Sequence, residues 1–365
     1  MEIIILNFKN VGVFLILAFF VVVSVGCSGT PTSLENKSNH HTNTGFRNSP
    51  YVETASSKGV MFVLRRIWGS AFHPTIPEGH RIPENETIFQ LEEFSENNTI
   101  TWLGHSTFLL KVDGKTILTD PFLTNRASPV SFIGGITRYV PPGISIENLP
   151  VINAIIISHN HYDHLDKETI QTLGNQPRYL VPLKLKEWFV DIGIDAKQVN
   201  EFDWWDTKII ENLSVTATPS QHWSARGLFD RFDSLWAAWH IEIGDFNFWF
   251  AGDTGYNDVQ FKEIGERFAN IDLALIPIGA YAPRWFMKQQ HVNPEEAIQI
   301  HKDIGAKRSI GMHWGTFQLT AEPIREPIER LEQAVSNGAL TEGEFTTLAI
   351  GETLFYSPPL KGLSD

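Results

Sequence analysis

Cysteine is almost missing from this chain: Cys27 is the single one among 365 residues. No disulfide can form within the chain, and no thiolate-rich zinc site is available. Basic side chains are also scarce, with 29 Lys and Arg against 42 Asp and Glu and a formal net charge of −13. A chain of that sign offers no field to neutralise a phosphate backbone, which argues against a nucleic-acid partner. Long apolar runs are lacking beyond the N-terminus, where residues 11–25 are apolar but fall short of the roughly 20 residues that cross a bilayer. No repeat of solenoid length is present. The 42% hydrophobic content is sufficient for a large core, or for two half-domains sharing one.

What the chain does contain is concentrated at one place. Residues 151–157 are apolar and β-branched, the pattern of a buried strand, and they run into Ser158-His159-Asn160-His161-Tyr162-Asp163-His164-Leu165-Asp166. Alternation sends His159 and His161 to one side, and Asp163 and His164 can curl back as the chain turns into a helix. Imidazole and carboxylate suit zinc, with iron or manganese as alternatives. Four donors so close in sequence can serve two ions, His159 and His161 on one, Asp163 and His164 on the other.

The remaining elements follow from period and turn chemistry. Strands are expected at 99–103, 107–112, 115–119, 178–181, 213–218, 234–243, 246–250, 271–277 and 309–312. Helices are expected at 60–68, 167–174, 184–190, 257–268, 294–304 and 323–335. Asp113-Gly114 is a hairpin signal, and Asn293-Pro294 marks a capped helix start. Strand-rich halves, each followed by helices, suggest two sheets face to face with helices outside. His222, Asp253 and His313 each follow a strand, as does Asp120; taken singly each is an ordinary loop residue. Residues 28–50 are rich in Ser, Thr, Asn, Gly and Pro and read as a flexible tether in which His40 and His41 are solvated. Asp203-Trp204-Trp205 reads as core.

His159-x-His161-x-Asp163-His164, together with His222, Asp253 and His313 in that order, resembles the ligand series of the metallo-β-lactamase superfamily. The resemblance implies an α/β fold, the four-layer αβ/βα sandwich of that superfamily, and two divalent metal ions of zinc type. His159, His161 and His222 would hold one ion and Asp163, His164 and His313 the other, with Asp253 bridging. Two such ions activate water and neutralise charge on phosphoryl or carbonyl oxygens, so hydrolysis needs no protein nucleophile. His161 stands where diiron redox relatives carry a carboxylate, which sets that branch aside. Asp120 corresponds to a residue that orients a ligand imidazole. His105, in Gly104-His105-Ser106, has either that kind of role or a purely structural one.

A narrower resemblance is carried by Trp102-Leu103-Gly104-His105, Thr119-Asp120-Pro121, Arg126-Ala127-Ser128-Pro129, Pro219-Ser220-Gln221-His222-Trp223 and Ala251-Gly252-Asp253-Thr254-Gly255-Tyr256. Pro283-Arg284-Trp285-Phe286-Met287-Lys288, His291-Val292-Asn293-Pro294 and His313-Trp314-Gly315-Thr316-Phe317 add to it. These are similar to the N-acylphosphatidylethanolamine-hydrolysing phospholipase D family. The resemblance implies a phospholipid substrate cleaved to phosphatidic acid and an N-acylethanolamine, with Asp163, Asp253 and His291 as catalytic residues and His291 as substrate binder or acid. Val130-Ser131-Phe132 departs from the animal pattern near the substrate. Trp285-Phe286 between Arg284 and Lys288 suits a lipid interface and, equally, aromatic core packing. A hydrolase of a soluble lactone or cyclic ester on the same fold is the alternative reading, and a metal-bound scaffold without turnover a third.

Ser24-Val25-Gly26-Cys27 resembles a bacterial lipoprotein cleavage box. It implies a signal peptide over 1–27 with Cys27 lipidated, a flexible linker over 28–58 and the hydrolase domain over 59–360. The expected place is the bacterial cell envelope, with a membrane surface as partner through the anchor and room for an oligomer. An uncleaved anchor helix would tether the domain as well.

Overall fold

The computed structural model describes residues 39–52, 76–128, 135–227 and 229–356. The signal segment with Cys27, the helix expected at 60–68 and the Val130-Ser131-Phe132 departure lie outside the described residues.

In chain order the strands are β1 (Thr99–Gly104), β2 (Thr107–Val112), β3 (Lys115–Thr119), β4 (Arg126–Ala127), β5 (Ile136–Thr137), β6 (Ala154–Ile156), β7 (Arg178–Pro182) and β8 (Val199–Phe202). The second half adds β9 (Thr207–Ile210), β10 (Leu213–Thr218), β11 (Ala238–Ile243), β12 (Phe246–Phe250), β13 (Leu273–Pro277), β14 (Ser309–Met312), β15 (Phe345–Thr346) and β16 (Thr353–Phe355). The helices are α1 (Glu84–Glu93), α2 (Lys167–Leu173), α3 (Lys186–Asp191), α4 (Gln260–Arg267), α5 (Arg284–Met287), α6 (Pro294–Asp303) and α7 (Glu326–Ser336).

Two seven-stranded mixed sheets result, ordered β16-β1-β2-β3-β6-β7-β8 and β15-β14-β13-β12-β11-β10-β9, with β4-β5 as a small separate ribbon. Their central strands, such as β6 and β13, read as continuous apolar runs because both faces are covered. On β6, Ala154 and Ile156 belong to the large core, whereas Ile155 and the following Ile157 join a second cluster with Ile170 of α2 and Phe189 of α3. β2 splits the same way, with Phe108 and Leu110 in the large core and Leu109 in the second cluster. On the other sheet α6 lies against β13 and is flanked by α4 and α7. The order is therefore helix, sheet, sheet, helix: an α/β sandwich of the metallo-β-lactamase fold.

Local chemistry explains the turns. Asp113 and Gly114 both take positive φ (48° and 71°), as a tight hairpin between β2 and β3 requires. Asn293 caps α6 by accepting from the Glu296 amide at 3.0 Å, and Glu296 answers the Asn293 amide at 3.3 Å, a capping box. Several expected boundaries shift, the helix expected at 323–335 beginning at Glu326 and the strand expected at 271–277 at Leu273. The strand expected at 234–243 begins only at Ala238; the helix expected at 184–190 begins at Lys186, after Lys184 with φ 67°; and the helix expected at 257–268 begins at Gln260, where the Asn257 side chain accepts its amide at 2.8 Å.

The tether requires correction over its described part. Residues 39–52 are docked on the domain through His40, Phe46 and Asn48, which are buried, while Tyr51 stays 73% exposed. Phe46 is 4% exposed within the large core, its amide bonds the Phe232 carbonyl at 2.9 Å, and the Gln260 side chain bonds the Ser49 carbonyl at 2.9 Å. Gly45 allows this approach, since a Cβ there would stand 2.1 Å from the Phe232 oxygen. Nor are His40 and His41 solvated: each places Nε2 2.7 Å from an Asp203 oxygen. One apolar anchor and one buried polar pairing outweigh a tether-like composition. Trp204 is core as expected, with Nε1 donating to the Trp236 carbonyl at 2.6 Å.

Candidate metal centre

Strand direction places the candidate ligands together. β3 and β6 are parallel neighbours in one sheet, and β12, β13 and β14 are parallel neighbours in the other. β10 is antiparallel to β11, which is antiparallel to β12, so β10 runs with β12. Asp120, the 158–164 loop, His222, Asp253 and His313 therefore all leave the carboxyl ends of strands at one edge of the sandwich.

The side chains converge as the sequence predicts. His159 Nε2 and His161 Nδ1 are 2.8 Å apart, and His222 Nε2 is 3.3 Å from His161 Nδ1. His159, His161 and His222 thus form one donor set, and Asp163, His164 and His313, joined by His105, form another. Asp253 stands between the sets. Its Oδ2 is 3.2 Å from His164 Nε2, 3.7 Å from His222 Nε2 and 4.0 Å from His159 Nε2, while its Oδ1 is 3.1 Å from His313 Nε2. His291 joins the rim of the cluster, with Nδ1 3.8 Å from Asp253 Oδ2.

The surrounding bonds fix the imidazoles. Asp120, fully buried, accepts from the Ser158 amide at 2.7 Å, from Ser158 Oγ at 2.5 Å and from His164 Nδ1 at 2.7 Å. That leaves His164 Nε2 as the inward-facing atom. The His222 Nδ1 meets the Gln290 carbonyl at 2.9 Å, turning its Nε2 toward the cluster. His105 Nε2 meets Asp163 Oδ2 at 3.0 Å, and the His105 carbonyl accepts the His313 amide at 3.1 Å. Three of these residues hold left-handed backbone, Asp120 (φ 32°), His105 (54°) and His313 (59°). Such conformations cost about 1–3 kcal/mol each and persist where the surroundings over-determine them.

Burial and crowding set the charges. His159 is held well below the usual imidazole range by burial and by His164, His161 and His222. Burial together with His222 lowers His161 to about 3, and burial lowers His222 to about 4 against the opposing pull of Asp253. All three are neutral donors. Burial alone would push Asp253 and Asp163 up, yet His164 and the neighbouring imidazoles hold both carboxyls well below the usual range. In return the two carboxylates raise His164 well above the usual imidazole range and His313 to about 9, so positive charge gathers at this depth to match them. The protein is also short of partners here: among the described residues, the buried polar atoms without an aligned hydrogen bond include His164 Nε2, His291 Nδ1, His313 Nε2 and Asp253 Oδ1. Neutral imidazoles, ionised carboxylates and orphaned inward atoms fit divalent metal.

Several residues that hold the site carry no sequence signal of their own. Asn48 Nδ2 donates to the His222 carbonyl at 2.9 Å and Asn48 Oδ1 accepts the His222 amide at 3.1 Å. Arg226 Nη1 donates to the Asn160 and Leu165 carbonyls at 2.9 and 2.7 Å, tying both ends of the ligand loop. Ser158, adjacent to the motif, was the one within reach of sequence reasoning.

Residues 115–314 match the family described as Beta-lactamase superfamily domain. The chain is 42% identical over 311 residues to N-acyl-phosphatidylethanolamine-hydrolyzing phospholipase D 1 of Caenorhabditis elegans, covering 80% of this chain and 87% of that one. The chain belongs to this superfamily and to its N-acylphosphatidylethanolamine-hydrolysing phospholipase D family. It is 37% identical over 250 residues to the mitochondrial N-acyl-phosphatidylethanolamine-hydrolyzing phospholipase D of Saccharomyces cerevisiae, covering 66% of this chain and 53% of the yeast protein. Among solved structures, a possible metal-dependent hydrolase from Veillonella parvula superposes with a TM-score of 0.59 at 17% identity, covering 71% of this chain and all of that one, a likeness of fold. The protein is thus a metal-dependent hydrolase of this family.

Proposed function

We propose that the protein is a binuclear metal-dependent phosphodiesterase that hydrolyses N-acylphosphatidylethanolamine-type phospholipids to phosphatidic acid and N-acylethanolamine. The observation that carries the two-ion reading is Asp253, whose Oδ2 lies 3.2 Å from His164 of one donor set and 3.7 and 4.0 Å from His222 and His159 of the other, while Oδ1 meets His313. The substrate class rests on the relatives from nematode and yeast. His159, His161 and His222 would hold one ion, Asp163, His164 and His313 the other, and Asp253 both; zinc suits these donors. Two divalent ions so held supply an activated water and charge neutralisation at a phosphoryl group.

The chain's own residues do the rest. Asp163 and Asp253 hold fixed negative charge at the centre. Asp120 keeps His164 in one tautomer by accepting from Nδ1. His291, buried, has Nδ1 3.8 Å from Asp253 Oδ2, and its carbonyl accepts from Arg284 Nη1 at 2.7 Å, which links it to α5. We assign it to the leaving side of the ester as a substrate binder: burial holds its imidazole well below the usual range, so the neutral ring meets the leaving oxygen through a hydrogen bond. Trp285 of α5, 64% exposed, would rest on the lipid surface. Lipidated Cys27 would hold the hydrolase at the bacterial cell envelope, close to that surface.

The bond cleaved is tested by mass spectrometry after incubation with mixed phospholipids, N-acylated and not. Phosphatidic acid with N-acylethanolamine is the expected pair. Diacylglycerol as the lipid product would place the cut at the other phosphoester bond and overturn the proposal.

A further inference from the structure

A second group of metal-type donors lies outside the hydrolytic centre. His40 Nε2 is 2.7 Å from Asp203 Oδ1 and His41 Nε2 is 2.7 Å from Asp203 Oδ2. The His40 ring stacks on Trp204 with centroids 4.2 Å apart, and the His41 ring meets Phe46 edge-on at 5.0 Å. Aromatic packing thus fixes both imidazoles with Nε2 turned to the same carboxylate. The His40 side chain is buried, while those of His41 and Asp203 keep 22% and 25% exposure, so the group is reached from solvent on one side.

We propose that His40, His41 and Asp203 form a divalent-metal site of zinc type that fastens the N-terminal segment to the hydrolase domain. Two imidazoles and one carboxylate, completed by water from the open side, are a donor set zinc accepts. Donor atoms around tetrahedral zinc stand about 3.3 Å apart, given metal–ligand lengths of about 2.0–2.2 Å. The group has to open by roughly half an ångström to admit the ion. That demand is no larger than at the hydrolytic centre, where His159 Nε2 and His161 Nδ1 lie 2.8 Å apart. Burial would push the Asp203 carboxyl up, but the bonds from His40 and His41 hold it below the usual range, which keeps it an anionic donor.

The site would matter beyond its own loop. The segment it fastens continues through buried Phe46 to Asn48, whose side chain holds both the amide and the carbonyl of His222. An ion at His40 would thus secure the backbone that presents a candidate ligand of the hydrolytic centre. The inference stands on the His40 group alone and does not depend on which ester is hydrolysed.

His41→Gln separates a metal site from a hydrogen-bonded clasp. Glutamine keeps an N–H for Asp203 but is a poor zinc donor. The full chain, the His41→Gln variant and a His40→Gln variant are loaded with zinc, dialysed, and measured by inductively coupled plasma mass spectrometry, with circular dichroism to establish folding. The wild type is expected to retain one zinc more per chain than either folded variant. Equal zinc content in wild type and folded variants overturns the proposal and leaves a hydrogen-bonded clasp. Zinc-edge anomalous scattering from crystals of the zinc-loaded wild type decides independently of any variant: a peak among His40, His41 and Asp203 supports the site, and its absence there overturns it.

Discussion

Asp120 accepts three hydrogen bonds with no exposure to solvent, and two of the donors, Ser158 Oγ and His164 Nδ1, share one of its oxygens. Replacing that carboxylate by an amide puts N–H against at least one of these donors. Asp120→Asn is therefore expected to weaken metal binding by about 10–100-fold, the usual effect of losing a partner behind a ligand imidazole. Competition with a chromophoric chelator measures it, and unaltered affinity would remove Asp120 from the ligand-orienting role. His291 makes a different demand, because it touches Asp253 only at 3.8 Å. His291→Ala is expected to lower turnover by about 10²-fold, the low end for a group that assists a leaving oxygen, with metal content unchanged. A loss of bound metal would make His291 a ligand instead. At this scale the sequence was informative where a donor sits at the end of a recognisable strand, as with His222 and His313. It was silent for Asn48, whose partner lies 174 positions away.

Among the elements, α5 is the one whose role changes once its surroundings are known. Core packing and a lipid-facing position were equally compatible with Trp285-Phe286, but Trp285 is 64% exposed while Met287, on the opposite side, is buried. The turn is held by Arg284, which bonds both the His291 carbonyl and Glu296 Oε2. Trp285→Ala is expected to weaken binding to phospholipid vesicles by about tenfold, the equivalent of about 1.5 kcal/mol of lost apolar burial. Hydrolysis of a water-soluble phosphodiester should stay unchanged. Equal vesicle binding by variant and wild type would place the lipid-facing surface elsewhere. The edge strands that sequence reading missed share a cause, one that does not extend to the ten-residue helix α1, also missed. β8, β9, β15 and β16 are at or near sheet edges, are two to four residues long, and alternate poorly, with β9 exposed at three of four positions. Their strand character comes from the neighbour they pair with, not from their own residues.

For the whole molecule, the sandwich places two sheets so that their parallel strands point the same way, and this alone gathers donors from both halves at one edge. Attachment to a membrane is a separate matter from the fold. Among the described residues no helix is long and apolar enough to cross a membrane. If Cys27 carries the lipid, Cys27→Ser should move the protein from the membrane to the soluble fraction on cell fractionation. Continued membrane association would favour an uncleaved anchor helix over residues 11–25. The described part of the expected linker illustrates the limits of composition. Residues 39–50 have the residues of a tether, yet Phe46 and the His40–Asp203–His41 pairing dock them.

By itself the sequence determined the element types of the two half-domains, the donor loop from His159 to His164 and the set of seven candidate ligands. The element types and the donor loop depend on short-range periodicity, turn chemistry and local spacing, which a chain carries wherever it folds, while His222, Asp253 and His313 were legible only through the resemblance to a known ligand series. Only the tertiary structure decided that Asp253 stands between two donor sets, that Asn48 and Arg226 hold the site from remote segments, and that His40 and His41 converge on Asp203. Each of these joins residues far apart in the chain, and such contacts exist only once apolar burial has brought the two sheets together.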